Sequence, residues 1–586
     1  MAAEHLITRH LDLWTTAIKR RSTAGRGSSS KVELYGIKKL RELILELAVR
    51  GLLVPQDPKD EPASELLKKI AAEKAKLVKA GVIKKEKPLP QIGDEDKLFN
   101  LASGWEAVRL GELAQVIRGV SYQKQDAQEA PFDGSVPLLR ANNINVELNF
   151  HDLLHLPRAI VKAEQIVVRG DILIAMSSGS ADLVGKAAQA VQDLESTFGA
   201  FCAVLRPFAD VLFSFMGFFC RTPFYRDQAQ ATGKGIGIQN LNKSGLELLL
   251  VLLPPLAEQH RIVAKVDELM ALCDQLEQQT DASLSAHQTL VETLLSALTS
   301  AAGHTQFASS WQHIAEHFDT VFTTEESIDQ LKQTILQLAV MGKLVPQDPK
   351  DEPASELLKK IAVEKARLVK EGKIKTHLPV EPTGNPQVLP ATWVEIVVQD
   401  FADIRLGSTP SRTEPKFWNG DIPWVSSGEV ANCTIRDTSE KITQEGFNNS
   451  STSMIPARSL LMAIIGQGKT RGQTALLEID ACTNQNVAAF VFDERFVCAE
   501  YVWTWAKSKY ESHRDDGRGG AQPALNGKIV RSFRFPLAPI AEQCRIVAKV
   551  DELMALCDQL KARLSDSQAT QLNLAEALTE AALAEA

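Results

Sequence analysis

No stretch of about 18 consecutive apolar residues occurs in the chain, so nothing in it is expected to span a membrane. The opening MAAEHLITRHLDLW lacks the basic flank and apolar stretch of a secretory leader, and the expected setting is the cytoplasm. Eight cysteines are scattered with no CxxC pair and no His/Cys cluster at ligand spacing, which argues against a disulfide framework and against a metal site. Two of them, Cys273 and Cys557, fall on a packed helical seam, where free cysteine behaves as a small hydrophobe. No HExxH and no GxSxG string is present. A surplus of positive charge is missing too: 65 Lys and Arg stand against 73 Asp and Glu, a net charge of −8. A nucleic-acid binder is usually basic, so any such contact here comes from local patches or leans on partner chains for phosphate neutralisation.

What the chain does have is length and repetition. At 586 residues it exceeds the size of a single core, and 44% apolar residues suffice to build several. The segment VPQDPKDEPASELLKKIA at Val54–Ala71 recurs unchanged at Val345–Ala362. A second segment, AEQ-x-RIVAKVDELMALCDQL, stands at Ala257–Leu276 and again at Ala541–Leu560, with His260 replaced by Cys544. Between these anchors lie two mostly different stretches that keep faint echoes of each other. Trp105 answers Trp393, Gly119 answers Gly407, and Ile172–Ala175 answers Leu460–Ala463. Likewise GIGIQNLN at Gly235–Asn242 answers GGAQPALN at Gly519–Asn526. The order is therefore constant segment, variable module and constant helix, written twice. A near-identical frame offers equivalent surfaces about a pseudo-twofold axis, suited to two copies of one partner. Plain duplication with drift is the competing account, but it leaves the fixed frame beside diverged modules unexplained.

The domain reading is a helical conserved region over 1–103, a module over 104–254, a long helix and linker over 255–320, a repeated helical region over 321–391, a second module over 392–538 and a last long helix over 539–586. Apolar residues at Ile262, Val266, Leu269, Cys273 and Leu276, and at Ile546, Val550, Leu553, Cys557 and Leu560, mark a heptad seam. Leu290 and Leu294 are expected to continue it. Two helices of about 40 residues, each roughly 60 Å long, would form a rod if they pair antiparallel; a helix-bundle core with no spacing role is the alternative. Shorter helices are expected through Leu40, Leu43 and Leu47, through Leu331, Ile335 and Leu338, and after Pro62 and Pro353 with exits near Gly81 and Gly372. The basic run Glu73–Lys87 reads as a solvated helix face ahead of a nucleic-acid contact. The modules read as mixed α/β, with strands near Val167–Ala175 and Ser459–Ile465 and helices near Leu212–Ala231 and Ala499–Ser512.

The two modules begin at Gly-Trp or Thr-Trp, carry NGDIPWV at Asn419–Val425 and the weaker DGSVPLL at Asp133–Leu139, and end in a proline-led EQ-x-RIV helix. This arrangement resembles type I restriction-modification specificity subunits over residues 30–586, in the subgroup with a long N-terminal conserved region. The resemblance implies two α/β target-recognition domains joined by long antiparallel coiled-coil helices. Each would read half of a split double-stranded DNA target. Two methyltransferase subunits carrying S-adenosylmethionine would dock on the frame, and two motor-nuclease subunits using ATP and Mg2+ would join for cleavage. This chain would hold no cofactor and no catalytic site, in keeping with the absence of an Asn/Asp-Pro-Pro-aromatic motif.

Base readout calls for Arg or Lys at guanine and Asn or Gln at adenine. The candidates in the first module are Arg118, Tyr122, Arg140, Asn142, Asn143, Lys234, Gln239 and Asn240. In the second they are Arg412, Lys469, Arg471, Arg514, Arg518, Gln522 and Asn526. For each, a solvated loop side chain is the competing reading. Ala463-x4-Gly468-Lys469-Thr470 imitates a phosphate loop, but Arg471-Gly472-Gln473 follows where a helix is needed and the aligned place in the first module lacks the lysine. GKGIG at Gly233–Gly237 has no acidic residue at dinucleotide spacing. Two rivals remain: fused nucleotide-binding halves, and a coiled-coil scaffold that never touches DNA. If Arg518 contacts a base, Arg518→Ala relaxes or weakens only the second module's half-site, by about 1–3 kcal/mol. A binding assay on DNA varied in each half separately checks this, and equal loss in both halves refutes it.

Overall fold

The computed structural model describes residues 9–21, 31–85, 87–93, 101–178, 183–209, 213–232, 239–301, 304–466, 470–515 and 525–584. The described residues divide into two compact units, one drawn from 9–21, 31–282 and 568–584, the other from 283–567. Each unit is mixed helix and sheet, and each joins one variable module to its share of the constant segments.

In the first unit, helices Tyr35–Val49 and Ala63–Lys79 flank the turn-rich VPQDPKDEP. The predicted Leu40, Leu43 and Leu47 are all buried, as are Leu66 and Ile70 of the second helix. Pro62 stands just ahead of that helix in extended backbone, where its missing N–H costs nothing. Gly81 takes a positive φ beyond the helix end and donates to Val78, a left-handed C-terminal cap. The second unit repeats this with helices Glu325–Val340 and Ala354–Lys370 and with Gly372. The basic run carries a solvated face where it is described: Lys76 pairs with Glu73 at 2.9 Å, and Lys76, Lys79, Lys84 and Lys85 are exposed. Lys74 instead donates to the Gly111 carbonyl at 2.9 Å, fastening this helix to the module.

Each module rests on a two-stranded antiparallel ribbon that brings its two ends together, Glu106–Arg109 with Leu250–Leu253 and Val394–Val397 with Arg534–Leu537. Above it, the first module has an antiparallel sheet in the order Ala114–Arg118, Cys202–Pro207, Ile172–Ala175, Ala187–Gln189. A smaller sheet pairs Ser135–Leu139 antiparallel with Leu154–Pro157 and parallel with Thr197–Phe198. The second module follows the same plan: Asp403–Leu406, Val487–Val491, Leu460–Ala463 and Thr474–Leu477, with Cys433–Ile435 added at the edge. Its smaller sheet sets Trp418–Val425 between Glu440–Ile442 and Cys482–Thr483. The central strands are apolar throughout because both faces are covered. Ile172 and Ile174 enter the cluster shared with the helices, while Leu173 and Ala175 enter the one between the sheets. Leu460 and Met462 against Leu461 and Ala463 divide the same way.

Ribbon and constant segments meet at the start of each long helix, Leu256–Ser300 and Ile540–Ala584. The Trp105 indole donates to Glu258 Oε2 at 3.0 Å, and Trp393 donates to Glu542 Oε2 at 3.0 Å. Gln259 and Gln543 donate to the carbonyls of Pro254 and Ala538 at 2.9 and 2.8 Å. Arg261 reaches Asp60 at 2.7 Å and Arg545 reaches Asp351 at 2.6 Å. The string EQ-x-R therefore holds the module's entry tryptophan, its exit strand and the PQDPKDEP turn with three side chains.

The seam residues Ile262, Val266, Leu269 and Cys273 are buried in the first unit, beside Leu572, Ala575 and Leu578 of the last helix. Burial pushes the Cys273 thiol up to about 11, as suits a packing cysteine. Ile546, Val550 and Cys557 are buried in the second unit together with Val291, Leu295 and Leu298. The expectation for Leu290 is corrected, since it is 50% exposed. A helix turns every 3.6 residues, so a strict seven-residue repeat drifts off the buried face, and the seam moves one residue on to Val291. The single helix expected over 212–231 is two, Phe213–Phe219 and Pro223–Thr232, parted where Pro223 disfavours helix at Thr222. That expected over 499–512 ends at Ser508, and a short helix Tyr510–Asp515 follows.

The indole–carboxylate bond has a pH signature. Burial holds the Glu542 carboxyl above the ordinary carboxylate range, while the Trp393 bond works the other way. A raised folded-state pKa means that folding disfavours ionisation, so this group favours the fold most below its unfolded pKa and less as pH rises through the folded value. Trp393→Phe removes the donor, raises that folded value further and destabilises the second unit by about 1–3 kcal/mol. Denaturant unfolding should show a larger deficit at neutral than at mildly acidic pH.

Candidate nucleic-acid interface

At one end of the first module, backbone hydrogen bonds gather loops from both sheets. Val120 N donates to Phe198 O at 2.8 Å, Gly199 N to Leu139 O at 3.0 Å, Met176 N to Phe201 O at 2.8 Å and Leu241 N to Met176 O at 2.8 Å. The second module makes the same bonds: Ser408 N to Thr483 O at 2.9 Å, Asn484 N to Val425 O at 3.0 Å, Ile464 N to Asn486 O at 2.9 Å and Leu525 N to Ile464 O at 3.0 Å. At this junction a Cβ on Gly119 would strike the Gly199 carbonyl oxygen, and one on Gly407 the Thr483 carbonyl oxygen. That close approach is why both positions are glycine. In the first module the junction opens into a cleft of about 510 Å³ lined by Arg118, Met176, Phe201, Asn242 and Lys243 among others.

The junction collects part of the candidate list. Arg118 is exposed at the end of its strand, and Tyr122 is half-buried with its ring 3.6 Å from the place of a Gly199 Cβ. Arg140 donates to the Asp152 carbonyl at 2.6 Å, and Asn142 is exposed. The backbones of Gln239 and Asn240 pair antiparallel with Ser177–Ser178. The Gln239, Asn240 and Arg514 side chains lie outside the described part of the structure. Lys234, Lys469, Arg518 and Gln522 are wholly outside the described residues, and Arg471 is half-buried in the turn before Thr474–Leu477.

Several candidates hold the module together. For Asn143 the expectation is corrected: it is fully buried, accepts from Arg140 N at 2.9 Å and donates to His151 O at 2.9 Å. Glu429 does the equivalent work in the second module, accepting from Ser426 N at 2.8 Å. Arg412 is paired with Glu440, at 2.9 Å through Nη2, and its guanidinium lies 3.8 Å from the Trp418 ring centre. Asn526 caps helix Gly527–Arg531 by accepting from Lys528 N and Ile529 N, both at 3.0 Å. Asn242 caps helix Lys243–Glu247 by accepting from Gly245 N at 2.8 Å, which explains the echo between the two strings.

The phosphate-loop imitation fails on geometry. Gly472 N returns to Ala463 O at 2.8 Å and the chain enters strand Thr474–Leu477, so no helix N-terminus faces a phosphate. Two features escaped the sequence reading. Phe201 and Met176 line the cleft, and their apolar side chains carry none of the hydrogen-bonding groups that mark a base reader in a sequence. His313, Glu316 and His317, all exposed, bring possible ligand atoms within 4.8 Å of one another at a helix end, a spacing legible as HIAEH. Among the described residues no helix is long and apolar enough to cross a membrane.

Two like-folded modules on one repeated frame, differing in the side chains at their loop ends, define a recognition subunit. Residues 102–286 and 390–567 match the family described as Type I restriction modification DNA specificity domain. The chain is 41% identical to the type I restriction enzyme EcoAI specificity subunit of Escherichia coli and 39% identical to the EcoEI specificity subunit of Escherichia coli, each over 100% of both chains. The solved HsdS subunit from Thermoanaerobacter tengcongensis aligns over 83% of this chain and 98% of its own, at 16% identity and a TM-score of 0.39. The chain belongs to the type I restriction-modification specificity subunits, the non-catalytic DNA-recognition components of these systems.

The capping role of Asn526 separates structure from base contact. Asn526→Asp keeps the cap, whereas Asn526→Ala costs about 0.5–2 kcal/mol. Thermal unfolding of the two variants should rank them in that order.

Proposed function

We propose that the chain reads a bipartite double-stranded DNA target, one half with each module, and directs two methyltransferase and two motor-nuclease subunits to it. The observation that carries this reading is the junction: the same backbone bonds in both modules present different side chains. That is what two targets read by one mechanism require. The ribbons that close each module, Glu106–Arg109 with Leu250–Leu253 and Val394–Val397 with Arg534–Leu537, support modules that span 104–254 and 392–538. The repeated ties at Trp105–Glu258 and Trp393–Glu542 support equivalent docking surfaces for two copies of one partner.

In this reading the long helices pair as an antiparallel coiled coil between the modules. Each has 45 residues, about 68 Å at 1.5 Å per residue, ample to set half-sites one DNA turn, roughly 34 Å, apart. Modules related by a pseudo-twofold axis meet strands of opposite polarity, so one adenine on each strand is presented for methylation. S-adenosylmethionine, ATP and Mg2+ reside on the partners, and the assembly works in the cytoplasm. With a net charge of −8, much phosphate neutralisation falls to those partners, and affinity for DNA by the chain alone is weak.

A genome-wide map of N6-methyladenine in cells carrying this chain with its methyltransferase, against cells lacking it, tests the reading. A new split motif methylated once on each strand is the expected result. No new methylation with an active partner present would favour a scaffold that does not touch DNA.

A further inference from the structure

At one of the matched junction positions the two modules carry side chains of different chemistry on a backbone that is held alike. Phe201 and Asn486 each accept through the main chain, from Met176 N at 2.8 Å and from Ile464 N at 2.9 Å. Both sit in the short connection that crosses from the smaller sheet to the larger, between Thr197–Phe198 and Cys202–Pro207 or between Cys482–Thr483 and Val487–Val491. The strands on either side are buried, so the backbone of this connection cannot slide.

Phe201 is nevertheless 70% exposed, beside a cleft that also shows Arg118, Met176 and Lys243. A solitary exposed apolar residue is ordinary on a surface. This one stands where the other module places an amide, in a loop whose geometry is set from both ends. An apolar ring at a base edge recognises the C5-methyl of thymine, and an asparagine recognises the N6 and N7 edge of adenine.

Resting on the proposed function, we propose that Phe201 and Asn486 are matched specificity positions: Phe201 contacts a thymine methyl in one half-site, and Asn486 contacts an adenine in the other. Arg118 and Lys243 then stand beside Phe201 where phosphate or a neighbouring base lies. Phe201 is mostly exposed, so its replacement leaves the core intact.

The test uses the full chain with its methyltransferase, and reads the methylated motif and the methylation rate on matched and singly substituted DNA. Phe201→Ala and Phe201→Asn should lower discrimination at one thymine position of one half-site by about fourfold, leaving the other half as in the parent. Phe201→Leu should keep the preference, and it reports even if the other variants assemble poorly. Asn486→Ala should relax an adenine position in the opposite half alone. Unchanged motifs in Phe201→Ala and Asn486→Ala, or equal loss in both halves, would overturn the inference. A parent chain that yields no split motif would instead overturn the proposed function, and this inference with it.

Discussion

The hydrogen bond from an entry tryptophan to a carboxylate in the first turn of a long helix is what ties each module to the frame. Trp105 and Trp393 are buried, as are Glu258 and Glu542. A buried carboxylate without a donor is costly, so each side of the bond needs the other. The helix N-terminus favours a negative charge at that turn. The next glutamine holds the carbonyl at the end of the module's last strand, and the arginine two positions further pairs with the constant turn. Entry, exit and frame thus converge on four residues of helix. That convergence gives a physical reason for the string to recur almost unchanged where the modules do not.

The modules place their variation where the fold tolerates it. Main-chain bonds fix the junction loops, and main-chain bonds are indifferent to side-chain identity. Residues matched between modules are those the backbone itself demands. Gly119 and Gly407 lie against carbonyl oxygens, and Asn242 and Asn526 cap short helices. Positions free of such duties differ: arginine at 118 against leucine at 406, and phenylalanine at 201 against asparagine at 486. An acidic chain can present such surfaces without a net basic field, because discrimination comes from base edges and affinity from phosphates.

Much of the fold was legible beforehand, and the failures have physical causes. The seam through Ile262, Val266 and Cys273 was readable because a buried helical face leaves a periodic trace. Leu290 misled because the seven-residue repeat was extended past the point where helical pitch carries it off the core. The break at Thr222-Pro223 rests on one proline within an otherwise helical composition, so composition over the window does not reveal it. The candidate site was read less well. Asn143, which is fully buried, looked like a base reader because asparagine serves turns, caps and adenine contacts with the same amide. Phe201 was passed over because an apolar residue in a sequence reads as core unless its exposure is known.

The class of this protein, its duplicated plan, the constant frame and the α/β character of its modules are all written in the order of its residues. Repetition and periodicity are linear properties, and they survive without coordinates. It takes folding to settle which side chains face outward at the junction, to seal Asn143 inside and stack Arg412 on Trp418, and to bring residues 118, 139, 176, 201 and 241 to one place. Those contacts join segments far apart in the chain, and their partners are set by strand pairing and burial, which no local pattern records.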